Sequence, residues 1–147
     1  MASDFKARVL DFLFRTDEDK NWTYALLRVF VGGVFIYHGF PKLFQNFDGF
    51  SGMVRGLGFP APGFFAFMAA LAEFGGGVLL IPGLFTRVCA FLMGCTMFVA
   101  AFIFHAGHPF AKKELAIAYL ICSILFFFKG AGYYSLDRMI SRKKVRA

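Results

Sequence analysis

Four stretches of nearly unbroken apolar residues, at about 23–44, 62–82, 86–106 and 112–130, alternate with polar connections. Each approaches the roughly 20 residues that an α-helix needs to cross about 30 Å of hydrocarbon. Their apolar character is continuous, whereas the strands of a membrane barrel alternate, so the pattern predicts helices. The fourth stretch is the shortest: Leu115 to Phe128 is uninterrupted, and Lys112, Lys113 and Lys129 must reach water from its ends. Ahead of the first, Phe5, Val9, Phe12 and Leu13 recur at helical spacing among charged residues and predict a short amphipathic helix on the membrane surface. Leu136, Met139 and Ile140 predict another after the last. Residues 46–62, with Gly49, Gly52, Gly56, Gly58 and Pro60, read as an ordered loop of tight turns. The predicted fold is all-α: one membrane domain, a four-helix bundle, with residues 1–22 and 131–147 as tails.

Composition agrees with lipid as the main solvent. Hydrophobic residues make up 59% of the chain, 23 of its residues are phenylalanine and only 17% are charged. A soluble domain of this size could not hide so many large apolar side chains. The net charge of +7 sits mainly at the two ends, where Lys6, Arg8, Arg15 and Lys20 precede the first span and Arg138, Arg142, Lys143, Lys144 and Arg146 follow the last. That distribution suits anionic lipid headgroups, and the chain keeps no soluble module to present to a nucleic acid. The positive-inside rule places both termini in the cytoplasm, with the lipid bilayer as the first partner. The first span, which lacks a small-residue cleavage site, is expected to be a retained anchor. Cys89, Cys95 and Cys122 all fall within apolar runs without a Cys-x-x-Cys pair and read as small packing residues.

An ionisable group inside a span is costly and therefore a functional candidate. Arg28, His38 and Lys42 lie on the first span, Arg28 and Lys42 on one stripe. Glu73 falls near mid-depth of the second, among Ala66, Ala69, Ala72 and Gly76, which allow another helix to approach closely. Its expected partner by depth is Arg28 in a structural ion pair, the alternative being a protonated carboxyl. His105 on the third span is expected near the outer surface, at a depth similar to His38. The outer half thus gathers His38, Lys42, His105, His108, Lys112, Lys113 and Glu114, and predicts a polar pocket open to the outside. No metal set is evident: His105 and His108 flank the end of a helix, and Glu73 and Glu114 are too few for a carboxylate-bridged di-iron centre. A haem would require His38 and His105 to oppose each other.

The run Leu27-Arg28-Val29-Phe30-Val31-Gly32-Gly33-Val34-Phe35-Ile36-Tyr37-His38-Gly39-Phe40-Pro41-Lys42-Leu43 resembles the opening signature of the DoxX family. So do Glu73-Phe74-Gly75-Gly76-Gly77, Gly83-Leu84-Phe85-Thr86-Arg87 and, after a glycine-rich turn, Leu136-Asp137. The resemblance covers about residues 24–138. It implies a small four-helix protein of the bacterial inner membrane, associated with quinol oxidase or thiosulfate:quinone oxidoreductase complexes. On that basis the chain is expected to be a subunit of a membrane redox complex, with other subunits or a second copy of itself as partners. A quinone or similar lipophilic molecule would sit in an aromatic-lined pocket, with Arg28, His38, Lys42, Glu73 and His105 supplying hydrogen bonds and proton handling. The alternative is a non-catalytic scaffold in which the same polar residues fix helix register. A small-molecule or proton transporter is a third reading, for which four helices without an internal repeat offer little.

Overall fold

A computed structural model describes residues 5, 8, 9, 12 and 20–145. Most of the expected N-terminal surface helix lies outside the described residues. Six α-helices follow: α1 (Trp22–Phe40), α2 (Phe47–Gly56), α3 (Pro62–Leu80), α4 (Thr86–Val99), α5 (Phe110–Lys129) and α6 (Leu136–Val145). The first and fourth each continue into a wider π-helical turn, Pro41–Gln45 and Ala100–Phe104. There is no strand among the described residues.

The elements begin and end where local chemistry dictates. The side chain of Asn21 accepts the Thr23 N–H at 3.0 Å and caps α1, while Pro62 opens α3 at a position whose N–H has no helical partner. Gly130, with φ of 78°, ends α5. The first and fourth helices with their π turns, Trp22–Gln45 and Thr86–Phe104, and α3 are long and apolar enough to cross a membrane. The 20-residue α5 has comparable length, with Lys112, Lys113, Glu114 and Lys129 confined to its end turns.

Residues 46–62 depart from the expected loop, because Phe47–Gly56 is helical. Asn46 caps it by accepting the Gly49 N–H at 3.2 Å, and Phe47, Phe50 and Val54 then share a helical face, with Val54 buried. α2 packs on α3. Gly49, Gly52 and Gly56 occupy the other faces of this helix, where burial of one apolar stripe outweighs their poor helix propensity, and Gly58 forms a turn beyond its end with φ of 81°.

Consecutive long helices lie side by side, α1 on α3, α3 on α4 and α4 on α5. α1 meets α3 almost backbone to backbone. A Cβ on Gly77 would stand 2.7 Å from the Gly32 carbonyl oxygen, and one on Gly39 would stand 2.5 Å from the Phe74 nitrogen. Val31, Phe35, Leu80, Met93 and Phe126 fill the interior. Phe30, Phe64, Phe91, Phe98 and Phe128 face outward, as expected of a protein whose surroundings are apolar.

A polar knot closes one end of the bundle. Asp137, at the start of α6, accepts the N–H groups of Phe85 at 2.8 Å and Thr86 at 2.9 Å, capping α4 from across the chain. It thereby holds Phe85 in a left-handed conformation, φ 49°. The N–H groups of Leu136 and Asp137 donate to the carbonyls of Pro82 and Gly83, and the Tyr24 hydroxyl donates to Gly130 O at 2.6 Å. The start of α1, the α3–α4 turn and the start of α6 therefore lie at the same end.

Replacing Gly77 with Ala should lower stability by about 1–3 kcal/mol, since the facing atoms are backbone and cannot step aside. Gly33→Ala, where a Cβ meets nothing within 4 Å, should be close to neutral; detergent unfolding curves of the pair would decide it. Asp137→Asn leaves one acceptor oxygen for two backbone donors and should cost about 1–2 kcal/mol in the same assay.

Candidate functional site

Glu73 lies two-thirds of the way along α3, its side chain 3% exposed. Both of its oxygens accept from the Lys42 ammonium, at 2.7 Å and 2.6 Å. The local sequence builds this pair. Gly39 brings the α1 backbone against that of α3 at Glu73 and Phe74, so a side chain one turn later can reach the carboxylate. Pro41 has no N–H to continue the helical ladder, and its ring would crowd the carbonyl one turn back. The wider turn that follows, closed by Asn46 N–H to Pro41 O at 2.9 Å, carries Lys42. The ammonium also lies 5.1 Å from the centre of the Phe50 ring on α2, which covers the pair from the far end.

A cavity of about 150 Å³ adjoins it. Val34, Phe35 and His38 line it from α1, Met97 and Ala100 from the fourth helix, and Lys112, Leu115, Ala116 and Tyr119 from α5, with Lys42, Glu73 and His105 completing the wall. His105 follows the second π turn, its N–H donating to Ala100 O at 3.0 Å. Its ring stands edge-on to Phe104 at 4.6 Å and to His108 at 5.2 Å, and its buried Nδ1 has no hydrogen-bond partner among the described residues. Both π turns thus border the one cavity.

Of the residues singled out in the sequence, His38, Lys42, Glu73, His105 and Lys112 line this cavity and Arg28 does not. The expected pairing of Arg28 with Glu73 is not formed. Arg28 belongs to the knot at the opposite end, where its guanidinium donates to the carbonyls of Ala131, Tyr134 at 2.6 Å and Ile81 at 3.4 Å. The physical reason is the chain's direction. α3 runs antiparallel to α1, so its end at Ile81 faces Arg28, and Glu73 lies eight residues, about 12 Å, further away. At its own level Arg28 meets the open carbonyls of helix ends and turns. His108, Lys113 and Glu114 are not part of the cavity wall. Tyr119 and Met97 were missed. Tyr119 follows Lys112 by two helical turns and so shares its face, a periodicity that could have revealed it. Among the described residues no three His, Cys, Asp or Glu side chains are placed to hold a metal ion.

The signature runs thus divide between the two ends: Gly39-Phe40-Pro41-Lys42 and Glu73 build the cavity, and Arg28, Gly83 to Thr86 and Asp137 build the knot. The DoxX family model matches residues 23–106. The chain belongs to the DoxX family. It is 34% identical over 126 residues to an uncharacterized protein of Haemophilus influenzae, covering 81% of this chain and 91% of that one. It is 32% identical over 120 residues to the protein named "Putative oxidoreductase CatD" of Bacillus subtilis, covering 81% and 87%. It is 30% identical over 126 residues to inner membrane protein YqjF of Escherichia coli, covering 79% and 90%. No solved structure matches it. With three membrane-length helices, this DoxX protein is a bacterial inner-membrane protein.

Within it the Lys42–Glu73 pair is an interaction that single substitution should expose. Lys42→Met leaves a buried carboxylate without its counter-charge and should cost about 3 kcal/mol. The double variant Lys42→Met, Glu73→Gln should recover most of that loss, and a double-mutant cycle in detergent would measure the coupling.

Proposed function

We propose that this DoxX protein crosses the inner membrane four times, with α5 as the fourth span and both termini cytoplasmic, and that it is the quinone-binding subunit of a membrane redox complex. The orientation follows from the basic residues that flank the knot end, and it turns the cavity toward the outer face. The observation that carries the functional reading is the cavity itself. About 150 Å³ within a helix bundle is the size that takes one six-membered ring, and it is far too small for a porphyrin. Phe35, Val34 and Met97 offer apolar walls to the ring, while Lys42, His105 and Tyr119 offer donors to a ring carbonyl.

The chemistry the residues can supply is binding and proton handling. A quinone accepts two electrons and two protons on reduction to the quinol. The electrons come from a partner subunit, and the protons arrive at the ring oxygens through groups such as His105 and Glu73. Within this picture Lys42 polarises one carbonyl and holds Glu73 in place, and Arg28 acts only in maintaining the fold. The oxidoreductase name of the Bacillus subtilis relative supports a redox role. A second reading has an observation of its own: the Lys42–Glu73 pair ties α1 to α3, so it could serve only to fix register in a non-catalytic scaffold.

The protein purified in mild detergent should carry a quinone at near one per chain, identified by mass analysis of the extracted lipids. Glu73→Gln combined with His105→Ala should lose it while remaining folded. A quinone-free protein whose variant merely melts earlier would overturn the redox reading in favour of the scaffold.

A further inference from the structure

Three of the four neighbouring pairs of long helices are closely joined: α1 with α3, α3 with α4 and α4 with α5. The fourth pair, α1 with α5, makes little contact. Three ring contacts join that pair, Tyr24 with Phe126 at 5.7 Å and with the Lys129 ammonium at 5.0 Å near the knot, and Phe35 with Tyr119 at 5.6 Å midway along. From Phe35 and Tyr119 toward the far end, these two helices form part of the cavity wall, which Glu73, Met97, Ala100 and His105 complete. Its rim there is shared with the surface. Leu115 lines the cavity and is nevertheless 51% exposed, and His38 opposite it is also exposed. Leu115 stands five residues into α5, about 7 Å inside the helix end and within its apolar stretch. The polar lining is supplied by His38, Lys42, Glu73, His105 and Lys112, with Phe50 of α2 5.1 Å from the Lys42 ammonium.

We propose that the seam between α1 and α5 is a lateral portal, through which a lipid-soluble ring compound with a hydrophobic tail passes between the bilayer and the cavity. This rests on the reading of the cavity as a quinone site and adds the compound's route. The ring's polar groups face Lys42, Glu73 and His105, and the tail leaves past Val34 and Leu115 into lipid. Such a route suits a compound concentrated in the membrane, because no aqueous passage of the tail is required.

A portal has a kinetic signature that a binding wall lacks: narrowing it slows association and release together, whereas loss of a wall contact acts on release alone. The experiment places the full-length protein in lipid nanodiscs, loads it with a radiolabelled benzoquinone bearing a decyl tail, and measures binding and release. Leu115→Trp should slow both rates about tenfold and Leu115→Ala should accelerate both, each shifting Kd by much less than it shifts either rate. The alanine variant, a truncation at a half-exposed position, keeps the test valid if the tryptophan does not fold. Rates that match the unaltered protein in both variants, with binding intact, would overturn the portal and leave the site standing. A change in Kd carried by the release rate alone would make Leu115 part of the binding wall and overturn the portal as well. Failure of the unaltered protein to bind the decyl quinone would overturn the cavity reading itself.

Discussion

A carboxylate placed well inside a membrane-length helix has few stable environments, and the far half of this bundle is arranged around the one that Glu73 occupies. Its charge is tolerable because an ammonium sits on both oxygens, and that ammonium arrives by a specific route. Gly39 removes the side chain that would hold α1 away from α3, Pro41 interrupts the regular ladder, and the widened turn swings Lys42 inward. The cavity is what remains beside the pair once α4 and α5 complete the bundle. Its polar and apolar walls follow from that order of constraints.

The knot end solves a different problem with different means. There Arg28 and Asp137 bind backbone rather than each other, the guanidinium taking carbonyls and the carboxylate taking N–H groups. Helix ends and turns leave such groups without partners, and away from water each orphan is expensive. Two charged side chains satisfy five backbone groups between them, if the longer bond to Ile81 is included. The signature runs of this chain therefore carry two unrelated tasks: closing one end of the bundle and furnishing the other.

Much of this fold was legible because hydropathy in a bilayer reports directly on which segments must be helical. The expected spans at about 23–44, 62–82 and 86–106 match Trp22–Gln45, Pro62–Leu80 and Thr86–Phe104 within a few residues. The helix at Phe47–Gly56 was hidden by its glycines, since propensity is a local quantity and burial against α3 is not. Glu73 stood out as the costly residue, but its partner did not. A helical wheel ranks cations by depth and face, whereas the real choice was settled by the close approach at Gly39, the reach of a lysine stem and the carbonyls that claimed Arg28 first. Tyr119 escaped notice because a tyrosine in an apolar run carries no charge to draw attention, although its spacing from Lys112 places it on the same wall.

The partners of Arg28 also bear on how the protein is made. Ala131 and Tyr134, whose carbonyls it holds, are synthesised roughly a hundred residues after it. As the chain leaves the ribosome, the first three long helices enter the membrane while this guanidinium still lacks the end of α5 and the turn beyond it. The knot can close only when the segment from Gly130 to Asp137 has emerged. Closure of this end thus waits on a segment translated about a hundred residues after Arg28, and a transcript cut short before it would leave the guanidinium with only its longer bond to Ile81.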